Sequence, residues 1–233
     1  MNCYQPMPRV FDLDVNPTLV GATRPSVNQL WHSDSPSAWA QALDHYWQYV
    51  KPQNMQLEMA FDTLDVDSIR CMGARQWYDF LKDEYFRWKY TAPNRYGSTT
   101  KQLKRYEVND ELDLLNWIRL ELLELDPLDI KTSLDVACSI RGLGAAGGSG
   151  LLSLMYPKAF ATVDQFVVKA LWDVDGLPEA DALAKMKPEG LTLKNGVVLI
   201  DLLRRKAVKN NRRMRTDIWT PRKLDMILWT YGR

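Results

Sequence analysis

Apolar residues recur at spacings of three or four along almost the whole chain after residue 30. One such segment runs from Trp39 to Val50, another from Trp77 to Trp88, and a third from Leu112 to Leu125. This period of 3.6 residues is that of an amphipathic helix. Period-two alternation is confined to residues 55–61, where a helix fits equally well. We therefore predict an all-α protein of eight to ten helices without internal repeats.

Breaks in the periodicity divide the chain into three parts. Residues 1–30 are rich in proline, asparagine and other polar residues, which predicts an extended N-terminal arm or a loose terminus. Residues 31–126 form a predicted helical subdomain, with a break in its helices at residues 94–98. Its tryptophans, including Trp117, stand at helical core spacings and are expected to pack. Residues 127–233 form a second predicted subdomain that ends in basic helices.

Composition and charge restrict the class of protein. A chain that is 46% hydrophobic and 25% charged can bury a globular core. It contains no apolar stretch of bilayer length, its first 20 residues lack the apolar region of a secretory signal, and three cysteines are too few for a disulfide scaffold. These features predict a reduced, cytoplasmic protein that is not in a membrane. The two histidines, thirteen residues apart, do not suggest a metal site or a catalytic triad.

Positive charge is concentrated near the C-terminus although the net charge is only +1. Residues 184–233 contain 13 Lys and Arg against 4 Asp and Glu, and the predicted helix 194–213 carries many of them. This asymmetry indicates an anionic partner, but a solvated basic helix explains it equally well. Segment 86–106 interleaves aromatic and basic residues, which fits nucleic-acid stacking or a surface with snorkelling side chains.

The most specific segment covers residues 127–172, where two predicted helices flank the glycine-rich turn RGLGAAGG at 141–148. Glycine at 142 and 144 lets the backbone take a positive φ and approach a partner closely. The first N–H groups of the second helix then point outward, and with the helix dipole they suit a phosphate. Gly142, Gly144 and Gly147 also fit the spacing of a dinucleotide-binding loop. That loop must follow a strand, however, and the preceding residues favour a helix.

This segment resembles the helix-hairpin-helix motif of the DNA glycosylase superfamily that contains endonuclease III and the adenine glycosylase. In that family the hairpin reads leucine-proline-glycine-valine-glycine, and a catalytic aspartate follows the second helix. Gly142 and Gly144 match the hairpin glycines, and Asp164 matches the aspartate. Phe160 stands at the family's apolar position before that aspartate. The similar segment is about a fifth of the chain.

The resemblance implies a DNA glycosylase of base-excision repair, a hydrolase that binds damaged double-stranded DNA. Asp164 would offset the positive charge of an oxocarbenium-like sugar and would orient or deprotonate the attacking water. Gln165 and Phe166 are expected beside the flipped base. A hairpin of this kind can bind a monovalent cation through its carbonyls, and no other cofactor is expected. The implied DNA contacts are Arg141, Gly142, Leu143, Gly144, Ala146 and Gly147.

Two departures from the family pattern limit this expectation. Ala146 stands where bifunctional members carry the lysine that attacks the sugar, so the resemblance implies a monofunctional enzyme without a Schiff-base nucleophile. The four-cysteine cluster of endonuclease III is absent. Asp164 also has a purely structural interpretation as an N-cap. The alternatives are therefore a non-catalytic helix-hairpin-helix protein that binds DNA, or else a scaffold or an RNA-associated protein that uses the same hairpin.

Overall fold

The computed structural model describes residues 24–233, and all regular secondary structure among them is helical. The all-α prediction is therefore confirmed, although the helices are shorter and more numerous than eight to ten. A π-helical turn (Leu81–Tyr85) joins α5 to α6, and a 3₁₀ turn (Pro188–Gly190) precedes α14. The α-helices are α1 (Val27–His32), α2 (Pro36–Tyr49), α3 (Pro52–Asp62), α4 (Val66–Arg70), α5 (Ala74–Phe80), α6 (Phe86–Lys89), α7 (Pro93–Leu103), α8 (Arg105–Val108), α9 (Leu112–Leu123), α10 (Ile130–Ser139), α11 (Ala145–Met155), α12 (Gln165–Trp172), α13 (Ala180–Ala184), α14 (Leu193–Met214) and α15 (Pro221–Tyr231).

Side-chain caps, with a first-turn proline in α15, set the starts of the two C-terminal helices. The Oγ1 atom of Thr220 accepts the N–H of Lys223 at 3.2 Å, and Pro221 fills the first helical position of α15. At α14, Thr192 and Asn195 cap each other reciprocally. Such caps satisfy N–H groups that have no partner within the helix. The predicted helix 194–213 therefore begins within one residue of the start of α14.

The predicted N-terminal arm is wrong at its C-terminal end. Residues 1–23 lie outside the described part of the chain, but residues 27–32 form α1 rather than an extended arm. Ser26 and Gln29 make a capping box, with N–H to side-chain oxygen distances of 2.9 and 3.1 Å. Leu30 and Trp31 are buried. A helix of six residues shows no apolar periodicity, so the capping box is the only signal that predicts it.

Two further expectations about the first predicted subdomain are wrong. Residues 94–98, expected as a break, lie inside α7, whose exposed first turns carry no apolar pattern. Trp117, expected in the core, is 62% exposed. The buried face of α9 is formed by Leu115, Ile118 and Leu122, and Trp117 points away from it. An aromatic side chain at a roughly helical spacing is therefore not enough to place it inside.

The helices around α15 bring distant parts of the chain together. Helix α15 packs against α2 and α12, while α11 packs on α10 and contacts α14 and α15. Two polar contacts also tie residues 31–34 to α14: Lys206 Nζ donates to the carbonyl of Trp31 at 2.6 Å, and Arg213 pairs with Asp34 at 2.7 Å. The division of the chain after residue 126 stays a prediction. No helix between residues 24 and 233 has the length and apolarity to cross a membrane.

Candidate functional site

The turn between α10 and α11 requires glycine at one position. Gly142 has φ +93°, and a Cβ there would lie 2.5 Å from the carbonyl oxygen of Thr99. The carbonyl of Gly142 accepts the hydroxyl of Tyr90 at 3.0 Å. The turn is thus fixed against α6 and α7, and Leu143 beside it is buried. The positive φ expected at Gly142 is confirmed, but the close contact there is with this chain's own backbone, and the expected approach of a partner stays a prediction.

The start of α11 leaves an open, uncapped helix end. Gly144 is the N-cap, has no side chain to cap with, and would meet nothing within 4 Å if it carried a Cβ. Among the described residues, no hydrogen bond takes up the N–H groups of Ala145 and Ala146. Gly147 lies one position deeper and is buried, with its carbonyl accepting the hydroxyl of Tyr85. Free N–H groups and the helix dipole together favour an anion here.

Arg141, the only charged residue of the turn, is already paired. Its guanidinium makes an ion pair with Glu111 and lies 4.4 Å from the centre of the Tyr106 ring. The ion pair lowers the pKa of the Glu111 carboxyl. Both side chains are about one-third exposed. A phosphate could therefore reach Arg141 only in competition with Glu111.

Asp164 caps α12, as the structural interpretation predicts. Its Oδ1 atom accepts the N–H of Phe166 at 2.9 Å, and the residue is half-buried. The two preceding residues hold it in place: Val163 N–H donates to Ser149 Oγ at 2.8 Å, and Thr162 N–H donates to Asp225 Oδ2 at 2.5 Å. Since Ser149 belongs to α11 and Asp225 to α15, the position of Asp164 is fixed relative to both helices.

An aromatic surface adjoins Asp164. The Phe166 ring meets the Trp229 ring edge to face at 6.0 Å, and Trp229 also lies 6.4 Å from Tyr49. We call Tyr49, Phe166 and Trp229 the aromatic patch; Tyr49 is 41% exposed and the other two are half-buried. The guanidinium of Arg233 lies 4.6 Å from the Trp229 ring centre. Gln165, the other expected pocket residue, is half-buried beside Phe166.

The structure contains a buried cluster of charged side chains near Asp164 that the sequence does not predict. Glu58 of α3 accepts the hydroxyl of Tyr46 at 2.5 Å and the guanidinium of Arg222 at 2.9 Å, and it also accepts the indole N–H of Trp88. Arg222 donates to Asp225 at 2.9 Å. We call Glu58, Arg222 and Asp225 the charge cluster. Burial outweighs the attraction of Arg222 and raises the pKa of Asp225 to about 6.

Lys89, the last residue of α6, is a second group that the sequence does not place at the site. A Cβ on Gly150 of α11 would lie 3.3 Å from its Cδ and 3.4 Å from its Cε, so the lysine stem runs along α11. Burial lowers the pKa of the Lys89 ammonium, and the charges of Asp164 and Asp225 oppose that shift. Lys89 lies in segment 86–106, whose alternating aromatic and basic residues are explained either by nucleic-acid stacking or by a surface with snorkelling side chains.

Much of the positive charge on α14 serves contacts within the chain. Arg204 donates to the backbone carbonyls of residues 127, 128 and 159, and Arg205 pairs with Asp201 and Glu179. Lys206 donates to the carbonyl of Trp31, and Arg213 pairs with Asp34. Four basic side chains of α14 and its C-terminal end are exposed and form no ion pair with another described residue: Lys194, Lys209, Arg212 and Arg215. The charge asymmetry is therefore in part a feature of the fold.

Comparisons with known proteins add no assignment, because no family model, curated protein or solved structure matches the chain. Within residues 24–233, no group of three or more His, Cys, Asp or Glu side chains is arranged to hold a metal ion. The functional proposal consequently depends on the geometry around the α10–α11 turn and Asp164.

Proposed function

We propose that this protein is a DNA glycosylase-like protein that grips duplex DNA with α10, its turn and α11 as a helix-hairpin-helix. It then hydrolyses the N-glycosidic bond of a flipped base by means of Asp164. One observation carries the proposal: the hydrogen bond from Val163 to Ser149 fixes the Asp164 carboxylate relative to the helix whose open N-terminus would hold a phosphate. Such an enzyme needs a phosphate-binding site and a carboxylate that are held at a fixed distance from each other.

The phosphate would bind at the start of α11. The unpaired N–H groups of Ala145 and Ala146 and the open space at Gly144 offer donors without a side chain in the way. A helix N-terminus of this kind is a general anion site. A cation bound by the turn carbonyls would add to the attraction, although the carbonyl of Gly142 already accepts Tyr90.

Asp164 would act on the sugar. Cleavage of an N-glycosidic bond develops positive charge on the sugar ring, and a fixed carboxylate stabilises that charge. Only one oxygen of Asp164 is used in capping, so the other is available to the sugar or to the attacking water. The neighbouring aromatic patch offers π faces on which an extruded base can stack.

A binding comparison tests the proposal without a guess about the base. A fluorescent duplex with a cationic pyrrolidine in place of one nucleotide mimics the oxocarbenium sugar, and an undamaged duplex is the reference at the same salt concentration. Transition-state mimics bind at least about 100-fold tighter when a site is built for the reaction. We expect that preference in the wild type and its loss in D164N.

The substitution Asp164→Asn separates charge from structure. Asparagine caps helices as well as aspartate does, so α12 is expected to remain folded. Asp173→Asn, at the exposed C-terminal end of the same helix, removes an equal charge outside the site and is the matched control. An unchanged preference in D164N, or an equal loss in D173N, would rule out the role of Asp164.

The second candidate is a non-catalytic protein that binds DNA through the same hairpin. Ala146 at the family's lysine position and the internal use of the α14 charges favour it. This candidate predicts equal, salt-dependent binding to the two duplexes and indifference to D164N.

A further inference from the structure

Helix α9 presents a row of large apolar side chains to solvent. Leu114 is 50% exposed, Trp117 62% and Leu120 45%, whereas the opposite side of the helix is buried. The three residues are spaced three apart in the sequence and therefore lie side by side on one face of the helix. We call them the α9 row. Tryptophan, which stands at its centre, is among the residue types most enriched as anchors of protein–protein contacts.

Acidic side chains flank the α9 row. Asp113 and Glu121 are exposed, and neither forms an ion pair with another described residue. Antiparallel pairing of two α9 helices about Trp117 would place Asp113 of one copy opposite Glu121 of the other, and parallel pairing would place each acid opposite itself. Like charges in contact are destabilising, so α9 is not suited to pair with itself. The surface that fits the α9 row is apolar with basic residues around it.

The C-terminal end of α14 and the chain after it form such a surface. Val208 and Ile218 are exposed, and segment 208–218 contains four Lys and Arg against one Asp. Lys209, Arg212 and Arg215 are exposed and form no ion pair with another described residue. We call these five residues the α14 surface.

Hydrogen bonds at Asn211 bring the two apolar side chains of the α14 surface to the same end of the helix. The Oδ1 atom of Asn211 accepts the N–H of Trp219 at 2.9 Å, and its Nδ2 atom donates to the carbonyl of Trp219 at 2.8 Å. The chain after α14 therefore folds back on the helix, with Ile218 beside the turn that carries Asn211. Val208 stands one turn before Asn211 on the same face. The basic residues thus surround apolar side chains.

We propose that the α9 row of one copy of this protein docks on the α14 surface of a second copy. Both surfaces offer exposed apolar side chains, and the charges around them are opposite in sign. Because the two surfaces differ, the contact is head to tail, and further copies can add to a pair. This inference is independent of the proposed function.

The strength of this association follows from the size of the two surfaces. A stable interface buries about 800 Å² on each partner, with some 20–30 residues a side, and the α9 row contributes only three large apolar side chains to it. We therefore expect a weak association that is visible only at high protein concentration. Exposed charges are screened by salt, so raising the NaCl concentration should weaken it.

Complementation between two variants tests the proposal. Sedimentation velocity of the full chain, at concentrations up to about 0.5 mM, should show a mean mass that rises with concentration. W117S removes the centre of the α9 row, and K209E/R212E reverses two charges of the α14 surface. Each variant alone should associate at least about 10-fold more weakly than the wild type. An equimolar mixture should form a one-to-one complex, because each variant supplies the surface that the other lacks.

The control variant is K51E/R87E, which reverses two exposed charges outside both surfaces and should associate as the wild type does. Every substituted side chain is exposed, so the urea midpoints of all variants should match that of the wild type. A complex in the mixture, with neither variant associating alone, supports the proposal.

The remaining outcomes overturn it. A wild type that stays monomeric at every concentration would leave the α9 row to a different basic partner. Association that is lost in only one variant, or that both variants keep, would mean that copies meet through other surfaces. Loss in both variants without recovery in the mixture would mean that the α9 row and the α14 surface do not dock on each other.

Discussion

Gly142 and Gly144 lie two residues apart in the same turn, yet alanine should affect them very differently. At Gly142 an L side chain meets φ +93° and a Cβ position 2.5 Å from the Thr99 carbonyl oxygen. The backbone strain costs about 1–2 kcal/mol, and forcing a backbone carbonyl aside costs about 1–3 kcal/mol more. We therefore expect G142A to lower the free energy of unfolding by about 3 kcal/mol, which for a chain of this size lowers Tm by about 6–12 °C.

Gly144→Ala is the matched control. Its Cβ would meet nothing within 4 Å, and its φ of −98° suits any residue. Its only expected cost is the poorer N-cap, about 0.5 kcal/mol. Urea denaturation of the two variants at constant m-value, supported by calorimetry, measures the difference. If G142A unfolds within about 0.5 kcal/mol of the wild type, or if G144A is destabilised equally, the turn geometry described here is refuted.

Three further outcomes are expected. Glu58→Gln removes the buried carboxylate that pairs with Arg222 and should lower the free energy of unfolding by about 3–5 kcal/mol, measured by urea denaturation. The control E121Q, on the exposed surface, should leave that free energy unchanged. A loss below about 1 kcal/mol in E58Q would contradict the buried pair. Burial lowers the pKa of Lys206 from 10.5 to about 8, so the unfolded chain binds more protons than the folded protein between these pH values. The free energy of unfolding of the wild type, measured relative to that of K206M, should therefore rise by up to about 3 kcal/mol from pH 8 toward pH 10.5. A difference between the two proteins that does not change with pH would refute the shift. Trp117→Ser should change the free energy of unfolding by less than about 0.5 kcal/mol, and a loss of several kcal/mol would mean that the side chain is buried.

Sequence reasoning succeeds where a local pattern determines the structure. The start of α12 at Asp164 and the turn at Gly142 both depend on residues within a few positions of one another. Capping and positive φ are local properties, so the sequence predicts them directly. The same reasoning fails for α1 and for the first turns of α7, because short or polar helices have no apolar period.

The parts of the candidate site that the sequence does not predict are produced by long-range packing. Glu58 and Arg222 are 164 residues apart, and nothing in either local sequence indicates that they pair. Lys89 and Gly150 likewise meet only because α6 packs beside α11. At α14 the local sequence instead suggests a function where packing explains the residues. Its run of basic residues resembles a binding surface, although Arg204, Arg205 and Lys206 bind groups of this chain.

The charge cluster links the stability of the fold to the geometry of the candidate site. Asp225 uses one oxygen for Arg222 and the other for the N–H of Thr162, two residues before Asp164. Arg222 in turn depends on Glu58 to offset its charge, so loss of Glu58 should loosen the segment that carries Asp164 as well as destabilise the protein. Apolar side chains in place of the charge cluster would stabilise the core equally well and would avoid the cost of burying ions. That a buried ion cluster instead holds the backbone beside Asp164 is consistent with a need to fix this carboxylate in one position.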